Sequence, residues 1–127
     1  MRPACWSLFV LAALAGGVAR GQASPDPALR GKVLFLQCAA CHSLAPGAPA
    51  KAGPNLAGVI GRKAGSMAGF SYSPALAKTD ITWDEASLDK WLTAPTRMVP
   101  GTIMVFPGLP KAEDRRAVIA WLKRAGP

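Results

Sequence analysis

Three side chains packed into five positions carry the clearest chemistry in this chain: Cys38-Ala39-Ala40-Cys41-His42. A C-x-x-C-H run is the arrangement for covalent haem attachment. Two thiols about one helical turn apart can add to the two vinyl groups on one side of a porphyrin, and the adjoining imidazole is then carried beneath the iron. His42 becomes the proximal axial ligand, and its second ring nitrogen needs a backbone carbonyl to orient it and raise its donor strength. Three other readings compete. A closed zinc site wants four ligands, and Cys38, Cys41 and His42 supply three. A thioredoxin-like dithiol wants a βαβ setting, which this chain lacks. A structural disulfide gives no reason for His42.

The sixth ligand to the iron must lie elsewhere. His42 is the one histidine in the 127 residues, so bis-histidine ligation within the chain is excluded. Met67, Met98 and Met104, an open site and a lysine are the alternatives. Met104 is favoured because Pro100-Gly101-Thr102-Ile103-Met104 lies in an apolar stretch with no helical or strand periodicity. A structureless loop normally avoids so much apolar surface unless it packs on something that is not polypeptide.

The elements that must position these groups read as short helices. Asp26 is an N-cap with Pro27 at the first helical position, opening a helix toward Cys38. The block from Leu44 to Ser73 is punctuated by Gly and Pro and reads as one long loop. A short helix follows Ser73-Pro74. A third opens with a capping box at Thr82-Trp83-Asp84-Glu85, aligns Leu88, Trp91 and Leu92, and ends at Pro95. From Pro95 to Pro110 the chain is irregular. A last helix from about Lys111 aligns Val118, Trp121 and Leu122 and ends near Gly126. The expected fold class is all-α, with three to five short helices and long loops wrapped around one covalent haem.

Met1-Arg2-Pro3 followed by apolar residues 4 to 19 and the small-residue run Gly21-Gln22-Ala23 reads as a secretory signal cleaved near Ala23. Residues 1–23 are then the signal and 24–127 one domain, exported to the periplasm. Cys5 leaves with the signal, so Cys38 and Cys41 are the two thiols of the mature chain. The whole chain carries a net charge of +8 from 15 basic and 7 acidic side chains, and loss of Arg2 and Arg20 brings this to +6. Such an excess favours partners with acidic docking surfaces. The basic residues form no run, zinc-finger spacing or ribonucleoprotein motif, which argues against nucleic acid. An enzyme or gas sensor with an open haem face would need a distal acid-base group, and there is no second histidine to serve.

With these residues in view, the chain resembles the class I c-type cytochromes of the mitochondrial and purple-bacterial soluble type. The similarity runs from about Leu29 to Gly126. Its markers are Gly31 and Phe35 before the Cys-His motif, Gly53-Pro54-Asn55-Leu56, Gly61-Arg62-Lys63, Gly69-Phe70-Ser71-Tyr72, Ile81-Thr82-Trp83, the segment from Pro100 to Phe106, and Ile119-Ala120-Trp121-Leu122-Lys123. The resemblance implies the cytochrome c fold and a monomeric one-electron carrier rather than an enzyme. It makes Met104 the distal ligand and the Pro54 carbonyl the acceptor for the His42 ring N–H. Tyr72 and Trp83 become donors to a haem propionate, with Arg62 as charge compensation. Gly31 and Phe35 would cross Val118 and Trp121. The implied partners are a quinol-oxidising complex or dehydrogenase on one side and an oxidase, peroxidase or photosynthetic reaction centre on the other. The chain departs from the family pattern at Trp91, Met98 and Leu76. It also carries Gln37, Thr96 and Ile103 where mitochondrial-type members commonly have Lys.

Overall fold

Helix α1, Pro27–Ala39, starts where Asp26 accepts a 3.0 Å hydrogen bond from the Ala28 amide and Pro27 occupies the first turn. In the computed structural model, which describes residues 25–126, it is followed by α2 (Pro74–Ala77), α3 (Glu85–Thr93), α4 (Pro95–Met98) and α5 (Ala112–Arg124). The signal expected over residues 1–23 lies outside the described residues. The described residues hold no strand. Lys63 and Thr82 make one isolated antiparallel bridge, which pins the long loop to the start of α3.

The crossing of α1 and α5 organises the rest. α1 buries Ala28, Gly31 and Phe35, and α5 buries Ala117, Val118, Ile119 and Leu122. At the crossing the two backbones come so close that a Cβ on Gly31 would stand 1.9 Å from the Ala117 carbonyl oxygen and 2.8 Å from the Trp121 Cβ. Only a residue without a side chain permits that approach. Arg124 pairs with Asp26 at 2.7 Å, and Arg30 pairs with Asp114, so both ends of α5 are tied to the N-terminal end of α1. The arginine of each pair is more than half exposed, so solvent screens both interactions. The apolar crossing carries the stability.

α3 lies against α5, buries Leu88, Trp91 and Leu92, and is fixed by Arg115, whose guanidinium pairs with Asp89 at 2.7 Å and donates to the carbonyls of Leu109 and Pro110. Its capping box differs from the expectation. Asp84, not Thr82, is the N-cap: it accepts from the Ser87 amide at 2.7 Å, and Ser87 Oγ accepts from the Asp84 amide at 2.8 Å. Thr82 is instead in the bridge to Lys63. Pro95 does end α3, but the chain restarts at once as the single-turn helix α4. The fixed φ of proline suits a first helical position as well as it breaks an interior one. Among the described residues no helix is long and apolar enough to cross a membrane.

The helix crossing yields a direct test. Gly31→Ala should lower stability in guanidinium unfolding of the haem-loaded protein by about 2–3 kcal/mol, because a backbone carbonyl cannot swing aside as a side chain can. An unchanged midpoint would mean that the two helices are free to separate.

Candidate functional site

The site is built around a cavity of about 320 Å³ enclosed between α1, α3, α5 and the two long loops. Its wall is mainly aliphatic and aromatic, with Phe35, Leu76, Leu92, Val118 and Leu122 among its members. Cys38 and Cys41 also line it, and both thiols are free. Burial raises the Cys38 thiol above the usual cysteine value, and the neighbouring Cys41 adds to the shift.

His42 follows at the end of α1, nearly buried, where the turn that closes the helix returns its amide to the Cys38 carbonyl at 2.9 Å. Its Nδ1 lies 2.7 Å from the Pro54 carbonyl oxygen. A carbonyl can only accept, so Nδ1 carries the proton and Nε2 keeps its lone pair free. Burial holds the imidazole below its ordinary pKa; the Pro54 bond offsets part of that, and the charge of Lys51 adds to the lowering. The ring is thus neutral at neutral pH and presents one unprotonated nitrogen. Gly53 makes room for it, since a Cβ there would come within 2.5 Å of Cε1 and 2.8 Å of Nδ1.

The carbonyl is held in place by the loop around it. The Gly53 amide donates to the Cys41 carbonyl at 2.8 Å, and the Leu56 amide donates to Ser43 at 2.8 Å. Asn55, only 4% exposed, donates to the carbonyls of Ala45 and Ala48 and accepts from the Ala57 amide. Arg62 donates to the carbonyls of Asn55 and Ala57 at 2.8 and 3.2 Å. A buried amide with three partners fixes the loop in one conformation.

Of the three candidate methionines, Met104 lines the cavity. Met98 packs on the hydrophobic core, and Met67 lines a separate, more open recess with Gly47, Pro49 and Arg62. Pro54, Arg62, Tyr72 and Trp83 all line the cavity that holds Cys38, Cys41, His42 and Met104. Tyr72 meets Phe70 edge to face, and Trp83 meets Trp91 in the same manner. Beyond α4 the segment expected to be irregular from Pro95 to Pro110 forms no helix or strand, but its burial alternates. Thr102, Met104 and Phe106 are half-buried and alternate with exposed Ile103, Val105 and Pro107.

Two contributors were not assigned a role from the sequence. Gly53 and Asn55 stand out there as markers of resemblance, but the clearance of the His42 ring and the buried amide network depend on contacts across the loop. A glycine next to a proline, followed by an asparagine, is the one local signal that pointed to a constrained turn.

The donor set and cavity fit a covalently held porphyrin: two free thiols and a neutral imidazole at one end of an apolar cleft, with a thioether in its wall. The sequence model of the cytochrome c family matches residues 28–126. The chain is 50% identical over 94 residues to cytochrome c2 of Rhodoblastus acidophilus, covering 74% of this chain and 88% of that protein. It is 48% identical over 104 residues to cytochrome c2 of Rhodomicrobium vannielii, 82% of each. Among solved structures it is similar to cytochrome cH from Methylobacterium extorquens, with a TM-score of 0.72, 43% identity, and coverage of 76% of this chain and 97% of that one.

The clearance at Gly53 can be probed without reference to the role of His42. Gly53→Ala should tilt the ring and break the 2.7 Å bond to Pro54. In nitrogen-15 NMR the Nδ1 proton should exchange slowly in the wild-type protein and rapidly in the variant. Retained protection would show that the loop can yield.

Proposed function

The chain belongs to the cytochrome c family, as a class I c-type cytochrome of the purple-bacterial type carrying covalent haem c, an electron-transfer protein and not an enzyme; on that footing we propose that it is a soluble, monomeric one-electron carrier of the periplasm whose iron is ligated by His42 and Met104. The observation that carries this reading is that both thiols, the one histidine and Met104 line a single apolar cavity.

When bound, the haem supplies a one-electron Fe(III)/Fe(II) couple. Cys38 and Cys41, both free thiols lining the cavity, would hold it through thioether bonds to its two vinyl groups. His42 offers Nε2 to the metal while Pro54 holds Nδ1–H, which keeps the ring aligned and strengthens its donation. Met104 offers its thioether sulfur from the loop side. Phe35, Leu76, Leu92 and Val118 exclude water, and an apolar surround with Met/His ligation raises the reduction potential. Tyr72 and Trp83, which line the cavity, would donate to a propionate, and Arg62, fastened to two carbonyls, would offset its charge.

With two protein ligands in place no substrate reaches the metal, and the remaining chemistry is outer-sphere electron transfer. The mature domain, residues 24–127 after removal of residues 1–23, runs between a quinol-oxidising complex or dehydrogenase and an oxidase, peroxidase or photosynthetic reaction centre. Its net charge of +6 after removal of Arg2 and Arg20 draws it toward acidic partner surfaces and speeds encounter.

The ligation test is spectroscopic. The ferric wild-type protein should show the weak sulfur-to-iron charge-transfer band. Met104→Ala should lose it and lower the reduction potential, while Met98→Ala should keep both. Equal loss in the two variants, or a high-spin wild-type protein that readily binds carbon monoxide when reduced, would refute Met104 ligation. Intact-mass measurement of the exported protein should give residues 24–127 plus one haem; a mass that includes residues 1–23 would refute the cleavage.

A further inference from the structure

The segment that bears Met104 has its backbone tied at two ends and nowhere between. The Thr102 amide donates to the Val99 carbonyl at 3.1 Å, and the Leu109 amide donates to the Leu92 carbonyl at 2.7 Å. From residue 103 to residue 108 no backbone group bonds to another backbone group among the described residues. The Met104 amide reaches only the hydroxyl of Thr102, at 3.5 Å. Met104 is therefore suspended two residues from one tie and five from the other.

The distant tie is the more heavily built. Leu109 is buried, and Gly108 before it, at φ +100°, passes so close to α3 that a Cβ would stand 2.1 Å from the Thr93 carbonyl oxygen. Arg115 of α5 closes on this end. Its side chain is 12% exposed; one terminal nitrogen donates to the carbonyls of Leu109 and Pro110 at 2.9 and 3.0 Å, while Nε donates to Asp89 of α3 at 2.7 Å. Hydrogen bonds from a charged donor are stronger than neutral ones, and the planar fork of a guanidinium serves two directions at once, which an ammonium does not. Arg115 stands three and seven residues before Val118 and Leu122, on one face of α5, and both of those line the cavity, as does Leu92 of α3. The far end of the loop is thus fixed to the same two helices that wall the cavity.

We infer that Arg115 is a positioning residue for Met104: by holding the Leu109 and Pro110 carbonyls it sets how readily the Met104 sulfur leaves the iron. This rests on the reading of Met104 as axial ligand. With both ends tied, the sulfur can withdraw only as far as the six residues from 103 to 108 allow. With the far end free, the segment can swing out from Thr102, and the state in which the iron is open to another ligand becomes more populated.

The test titrates the haem-loaded ferric protein with imidazole, which competes with Met104, and follows loss of the sulfur-to-iron band. Arg115→Met should raise the apparent imidazole affinity about tenfold, and Arg115→Lys, which keeps the charge and loses the fork, about threefold. The band should be present in both before imidazole is added. Asp89→Ala removes the carboxylate and leaves both carbonyl ties; Gly31→Ala weakens the fold at the helix crossing. Each should bind imidazole as wild type does. An unchanged affinity in the Arg115 variants would overturn the inference. An equal rise in Asp89→Ala or Gly31→Ala would also overturn it, because the titration would then be reading helix packing. If Arg115→Met does not fold with haem, Arg115→Lys decides alone. A wild-type ferric protein that lacks the band would instead count against Met104 ligation itself.

Discussion

The 2.7 Å hydrogen bond from His42 Nδ1 to the Pro54 carbonyl joins the two parts of the molecule that have least else in common: the end of a regular helix and the middle of an irregular loop. On one side the ring is placed by α1, because the amide of His42 continues the helical bonding to Cys38. On the other, the carbonyl is placed by Gly53, Asn55 and Arg62, which make the loop nearly as fixed as the helix. The bond selects the tautomer of the imidazole and leaves one nitrogen for a metal. Loosening either side would leave a neutral, buried histidine with no defined direction.

That bond would be of little use without the hollow that the fold builds beside it. A domain of about one hundred residues has little apolar mass to spare, yet Phe35, Leu76, Leu92 and Val118 of its core cluster also line a cavity. The α1–α5 crossing makes this possible by closing the molecule at one point, where Gly31 lets the backbones touch. The remaining chain can then arch around a group that is not protein. The helices are short because they serve as supports for loops, and the loops carry Pro54, Tyr72 and Met104.

Much of this was legible in the residues. The Cys-His spacing is local chemistry, the Asp26-Pro27 start of α1 is a local cap, and the aligned Val118, Trp121 and Leu122 mark α5 by period. What was not legible depended on competition or on distance. Thr82 and Asp84 both suit a helix start, and the bridge to Lys63 decided between them by engaging Thr82 elsewhere. Pro95 reads as a stop for α3, but a proline that ends one helix can begin another. The two-sided character of residues 102–107 escaped because apolar residues stand on both faces, toward the core and toward solvent, and composition does not record direction. Asn55 has no periodic signature at all; its role exists only where Ala45, Ala48 and Ala57 converge on it.

The central claim is that one imidazole and one thioether from this chain complete the coordination of the iron and stay there through the redox cycle. Extended X-ray absorption at the iron edge tests this most directly, on the same sample in both oxidation states. Five nitrogen scatterers and one sulfur, with nearly the same distances in Fe(II) and Fe(III), are predicted. A sixth nitrogen or oxygen in place of sulfur, or a sulfur shell present in only one oxidation state, would contradict it.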